Sequence, residues 1–111
     1  MGETATIEVE NIRKKSGVSI RLFSRLSGYS ERAIAGWEKG RPQTESSRMR
    51  LTETRRLLEE LLKVMDKDAV APWLQTPNEA FDGLKPIEVV ERGEIDRLWR
   101  MIFHLESGVP A

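Results

Sequence analysis

Apolar residues recur along this chain at helical rather than alternating spacing, in short runs cut by residues that start and stop helices. Strand signals are nearly absent, so the pattern predicts an all-α protein. A first helix is expected over residues 5–15, with Ile7 and Ile12 inward and Gly17 as its left-handed cap. Ser19 then caps a short helix with Phe23 and Leu26 inward, closed by Gly28. Ser30 caps the next, with Ile34 and Trp37 inward, closed by Gly40. A polar loop containing Pro42 leads into the longest helix, expected over 47–65. Its first half is basic and polar (Arg48, Arg50, Arg55, Arg56). Its second half carries Leu57, Leu58, Leu61, Leu62, Val64 and Met65, spread too far round the helix for one face. That spread predicts cover on two sides.

After the charged break at 66–68, four short helices are expected. In the first, 69–75, Pro72 should confine regular hydrogen bonding to little more than the final turn. Thr76, Pro77 and Glu79 read as an N-cap, a proline at the first helical position and a capping-box acid, with Asn78 between them and Gly83 as the stop. Pro86 starts another helix, bearing Ile87, Val89 and Val90 and ended by Gly93. The last is expected over 94–105. At about 100° per residue, Met101, Leu105, Leu98, Ile102, Ile95, Trp99 and Phe103 fill an arc of roughly 200°. Only Asp96, Arg97, Arg100 and His104 are left polar. A helix on the surface of its own small domain needs an apolar arc of only about 100°. The excess implies a second covering surface, unless the aromatics fill a core short of large residues. An exposed Trp99 or Phe103 near Arg100 has the composition of a binding hot spot.

Composition narrows the class. With 111 residues the chain makes one domain, or two very small ones sharing a core. It has no cysteine, which excludes disulfides, thiolate metal sites and thiol nucleophiles. Residues 1–30 show no basic start followed by an apolar run, and no eighteen apolar residues are consecutive. A soluble, cytoplasmic protein without membrane contact is therefore expected. The net charge of zero hides an asymmetry: +3 over residues 1–68 and −3 over 69–111. Between Arg13 and Arg56 twelve basic residues face four acidic ones. Such a block fits a nucleic-acid contact or, equally, a solvated surface whose acidic partners lie elsewhere in the fold.

Enzyme chemistry finds no foothold. His104 is the single histidine, and the nearest acid, Glu106, points away at i+2. No Gly-rich phosphate loop occurs. No catalytic residue, metal ligand or cofactor site is expected.

Residues 19–40 read S-I-R-L-F-S-R-L-S-G-Y-S-E-R-A-I-A-G-W-E-K-G, two short helices joined by a tight turn that Ser24 faces. With Ile12-Arg13, Gly17-Val18-Ser19, Phe23, Gly28, Ser30, Ile34, Trp37-Glu38 and Gly40, this stretch resembles the Xre (Cro/CI-like) DNA-binding domains. The resemblance implies that Ser30, Glu31, Arg32, Ala33 and Gly36 lie nearest the base edges. Among these, Arg32 alone can make a bidentate guanine contact, worth about 1–3 kcal/mol of discrimination. Ser19, Lys39 and Arg41 would hold phosphates. Arg13 and Glu38 match an internal salt bridge of that family, hence structural roles. A unit that only folds or dimerises is the plain alternative.

The remaining residues resemble the toxin-binding domain of the Xre/MbcA/ParS antitoxins, which neutralise toxins of the RES-domain type. The match is carried by Trp73-Leu74, Pro77-Asn78, Phe81, Gly83, Pro86, Val89-Val90, Gly93, Leu98, Ile102 and Gly108. It implies an Xre-like helix-turn-helix bundle over 1–65 and a small helical toxin-binding domain over 66–111. Trp73, Thr76, Pro77, Asn78, Gly83 and Pro86 would be structural. Arg97, Trp99, Arg100, Phe103, His104, Glu106, Ser107, Gly108 and Val109 would meet the toxin. Residues 106–111 would enter its active site as a plug, although a frayed terminus reads the same in sequence. The implied partners are a RES-domain toxin that consumes NAD or transfers ADP-ribose, operator DNA and a second copy of the chain. The alternative is a helix-turn-helix repressor whose C-terminal domain dimerises or senses a ligand, with no toxin.

Overall fold

A hydrogen-bonding conflict decides where the first helix begins. The side-chain amide of Gln43 both accepts from the Ile7 N–H (3.0 Å) and donates to the Ile7 carbonyl (2.9 Å). Both backbone groups of Ile7 are thereby taken, and Ile7 stays outside the helix although its side chain is buried. Helix α1 therefore spans Val9–Ser16, starting later than its apolar pattern suggests. The structure is a computed structural model that describes residues 6–107.

Two serine-capped helices follow. α2 (Ile20–Ser27) opens on Ser19, whose hydroxyl accepts from the Leu22 N–H, and α3 (Glu31–Glu38) opens on Ser30, which accepts from Ala33. The turn between them is fixed by the Ser24 hydroxyl donating to the Tyr29 carbonyl at 2.5 Å. Helix α4 (Glu45–Val64) is capped by Thr44, so it begins two residues earlier than expected. It packs against α1, α2, α5 and α7, which explains its leucines on two sides. Leu57, Leu58 and Leu61 are fully buried, each contributing about 1.5–3 kcal/mol of burial.

Helix α5 (Lys67–Leu74) differs from expectation, because it runs straight through Pro72. Proline deletes one donor, but Val70 and Leu74 are completely buried from either side of it, and that burial outweighs one bond. The last carbonyls are met by side chains: Gln75 donates to Ala71 and Thr76 to Pro72. Thr76 thus closes α5 and does not cap the next element. That element is a single 3-10 turn, Glu79–Phe81, with Asn78 as its N-cap and Pro77 outside it. α6 (Pro86–Glu91) has proline at its first position and the Glu88 carboxylate accepting from the Lys85 N–H, and α7 (Ile95–Ser107) closes the fold.

Among the described residues the architecture is entirely helical. One hydrophobic core runs from Ile7 to Ile102, through both halves of the chain. α2 and α6 also meet across it, joined at the rim by Arg25 and Glu91.

Candidate partner-binding surfaces

The end of α7 carries apolar side chains that the core does not cover. Leu98 and Ile102 are buried, and Ile95, Trp99 and Met101 pack against them. One turn on, Leu105 lies on the Leu98–Ile102 side of the helix yet is 46% exposed, and Phe103 is 66% exposed. The wide apolar arc therefore splits: its first two turns fill the core and its last turn stands in solvent. Arg100 and His104 are exposed beside Phe103.

The segment before α7 aims it. Trp73 meets Phe81 edge-to-face, with centroids 6.5 Å apart, and the Arg97 guanidinium lies 5.6 Å above the Phe81 ring. Arg97 also donates to Glu94 (3.0 Å) and Asp82 (3.2 Å), which hold its pKa above the ordinary arginine value, Glu94 first. Arg97 is thus engaged as an internal clamp between the 3-10 turn and α7, whereas Trp99 is half-buried. Glu106 sits beside Glu60 of α4. Their shared hydrogen bond raises the Glu106 pKa, and the Lys63 ammonium lowers that of Glu60. The Ser107 hydroxyl donates to the His104 carbonyl. Gly108 and Val109 lie outside the described residues.

In the N-terminal half, α3 presents Glu31 and Arg32 to solvent from the first turn after Ser30, with Ala33 and Gly36 half-buried. Ser19, Lys39 and Arg41 are exposed. At about 100° per residue, Arg32, Gly36 and Lys39 share one face, opposite the buried Ile34. Behind this face Arg13 grips Glu38 in a two-pronged pair, 2.7 Å from Nε and 3.1 Å from Nη2, and donates a third bond to the Val18 carbonyl. Trp37 stacks edge-on with Tyr29 at 5.0 Å, and Arg50 lies 5.4 Å over the Tyr29 ring. Among the described residues no three His, Asp or Glu side chains gather to hold a metal, and no helix is long and apolar enough to cross a membrane.

Comparison with known proteins decides the family. The Antitoxin Xre/MbcA/ParS C-terminal toxin-binding domain matches residues 55–99. The mycobacterial cidal antitoxins MbcA of Mycobacterium tuberculosis and Mycobacterium bovis are 30% identical over 98 residues, covering 86% of this chain and 86% of theirs. The chain belongs to the Xre/MbcA/ParS antitoxins. A chain in the crystal structure of the M. tuberculosis MbcT–MbcA toxin–antitoxin complex shares the fold, with TM-score 0.77 and 24% identity over 94% of this chain and 95% of that one.

Relatives of this antitoxin are not enzymes, and neither is it. The matched segment runs from the middle of α4 to Trp99, ending short of Phe103 and Leu105. It therefore covers the scaffold that orients α7 and leaves out the exposed last turn. Leu105 was visible in the sequence as part of the wide arc. Its exposure was not, because only the packed structure shows which side chains of α7 the core covers. Asn78 as the cap was hidden behind the more obvious Thr76-Pro77 pair.

Proposed function

We propose that this antitoxin binds a cognate toxin through the exposed side chains of α7 up to Leu105 and blocks the toxin's active site with residues 106–111. The observation that carries the reading is the apolar end of α7. Phe103 and Leu105 stand in solvent near Arg100 and His104, Phe103 turned away from the buried Leu98 and Ile102. Solvating them costs about 25 cal/mol per Å² of apolar area, a cost that a covering partner removes. The toxin, on the family resemblance, is a RES-domain enzyme that consumes NAD or transfers ADP-ribose. MbcA, a relative, is seen in a toxin–antitoxin complex.

In the same reading the α2–α3 pair is a helix-turn-helix. Its outward face, Ser30 to Gly36, enters the major groove while Ser19 and Lys39 hold phosphates. A dimer would then read two half-sites about 34 Å apart and repress the antitoxin's own operon in the cytoplasm.

Co-expression with the protein of the adjacent reading frame, followed by an NAD-consumption assay, tests the first part. A stable complex with silenced activity is expected. Removal of residues 106–111 should restore activity while the complex persists. If that truncated chain still silenced the enzyme, occlusion by the tail would be wrong and binding by α7 would stand. If no complex formed with the full chain, the toxin-binding reading would fall.

A further inference from the structure

Gly36 occupies the sixth position of an eight-residue helix, where glycine is a poor choice. Its backbone is not among those with positive φ, so no conformational need explains it. What explains it is a close approach. A Cβ placed on Gly36 would come within 2.9 Å of both Cζ and Nε of Arg41 and within 3.1 Å of its Nη2. The guanidinium therefore lies in the space a side chain at position 36 would fill.

The chain is bent to bring it there. Gly40 has φ +102 with nothing near its missing Cβ, so its role is the turn itself. Beyond that turn the Arg41 N–H donates to the Gly36 carbonyl at 2.9 Å, folding the loop back over the end of α3. The guanidinium consequently sits on the face shared by Arg32, Gly36 and Lys39, one helical turn (about 5.4 Å) beyond Arg32. The acidic groups of the same helix are placed elsewhere: Glu38 is engaged by Arg13, and Glu31 is at the first helical position.

We propose that Arg41, seated on Gly36, is a second base-reading side chain of this surface rather than a phosphate contact. This inference rests on the DNA-binding reading of α3. A planar guanidinium held on a groove-facing helix presents two parallel donors. The group that matches them is the O6/N7 edge of guanine, adjacent to the base pair read by Arg32. Gly36 is the positioning residue, because any side chain there would displace the fork.

The test uses the full chain and a randomised duplex library selected on it, with the best duplex and its single-base-pair variants then measured individually. Arg41→Ala should lose discrimination at one guanine by about 5- to 150-fold, leaving the base pair read by Arg32 unaffected. Arg41→Lys should lose the same discrimination despite keeping its charge, since an ammonium cannot bond in two prongs. Gly36→Ala should match Arg41→Ala in specificity, with the double variant no worse than either. Gly36→Ala should also raise the melting temperature by about 2–6 °C, because alanine favours the helix. A merely structural glycine would not separate stability from specificity in this way. The proposal is overturned if Arg41→Lys and Gly36→Ala keep the full base preference and Arg41→Ala only reduces the salt dependence. That result would make Arg41 a phosphate ligand and leave the DNA reading intact. If no duplex were enriched over the starting library, the DNA reading itself would be lost, and this role of Arg41 with it.

Discussion

Arg25 on α2 and Glu91 on α6 are joined in two prongs, Nε to Oε2 at 2.8 Å and Nη2 to Oε1 at 2.9 Å. They are sixty-six residues apart and tie the basic N-terminal half to the segment that orients α7. The Arg25 hydrogen bond holds the Glu91 carboxyl below its ordinary value of 4.5. A carboxylate depressed in the folded state stabilises the fold above the unfolded pKa. That contribution fades as pH falls through the folded value. Both side chains are over a third exposed, so solvent screening keeps the pair to about 0.2–1 kcal/mol. Arg25→Met should accordingly lower the melting temperature slightly at neutral pH and have no effect once pH drops well below 4.5. A penalty that stayed constant across that range would mean that Arg25 acts by packing.

The Arg13–Glu38 pair is less exposed, at 16% and 11%, and Arg13 serves Val18 as well. Removing one partner leaves a largely desolvated charge. Arg13→Met should cost about 1.5–3 kcal/mol in a denaturant titration, with a compact but less stable fold. A midpoint equal to wild type would show that the pair contributes nothing net.

Capping at the centre of the C-terminal half can be assigned by a pair of substitutions. Asn78 accepts from the Ala80 N–H, and its carbonyl takes the N–H groups of Phe81 and Gly83. Asn78→Ala should cost about 0.5–2 kcal/mol. Thr76→Val, at an exposed position where the hydroxyl only supplements the end of α5, should stay within about 0.5 kcal/mol. The reverse order would return the cap to Thr76.

These residues also show what was legible before the structure. Helix type and order could be read from apolar spacing, and the caps at Ser19 and Ser30 and the helix start at Pro86 from local chemistry, because each is decided within a few residues. The misplacements came from distant partners. α1 starts late because Gln43, thirty-six residues away, takes the backbone of Ile7. α5 passes through Pro72 because the core holds Val70 and Leu74. The candidate surface on α7 was half visible. Its apolar excess is written in the sequence, but which residues the core claims depends on how α7 packs against α4 and α6. Arg97 illustrates this: nothing local to it reveals that Asp82 and Phe81 lie within reach.

Stability and binding should separate along α7. Leu98→Ala, at a fully buried position, should cost about 2–5 kcal/mol of stability. Phe103→Ala, at an exposed one, should change stability by no more than about 0.5 kcal/mol. Equal losses would mean that Phe103 belongs to the core in solution.

The most direct measurement is the affinity of the purified toxin for Phe103→Asp, compared with the wild-type antitoxin by calorimetry. The variant's fold should be checked by its melting temperature. A hot-spot aromatic at the centre of an interface carries about 2–4 kcal/mol, so the affinity should fall by about 30- to 1,000-fold with the melting temperature unchanged. Wild-type affinity in a folded Phe103→Asp protein would show that the toxin does not dock on the exposed end of α7.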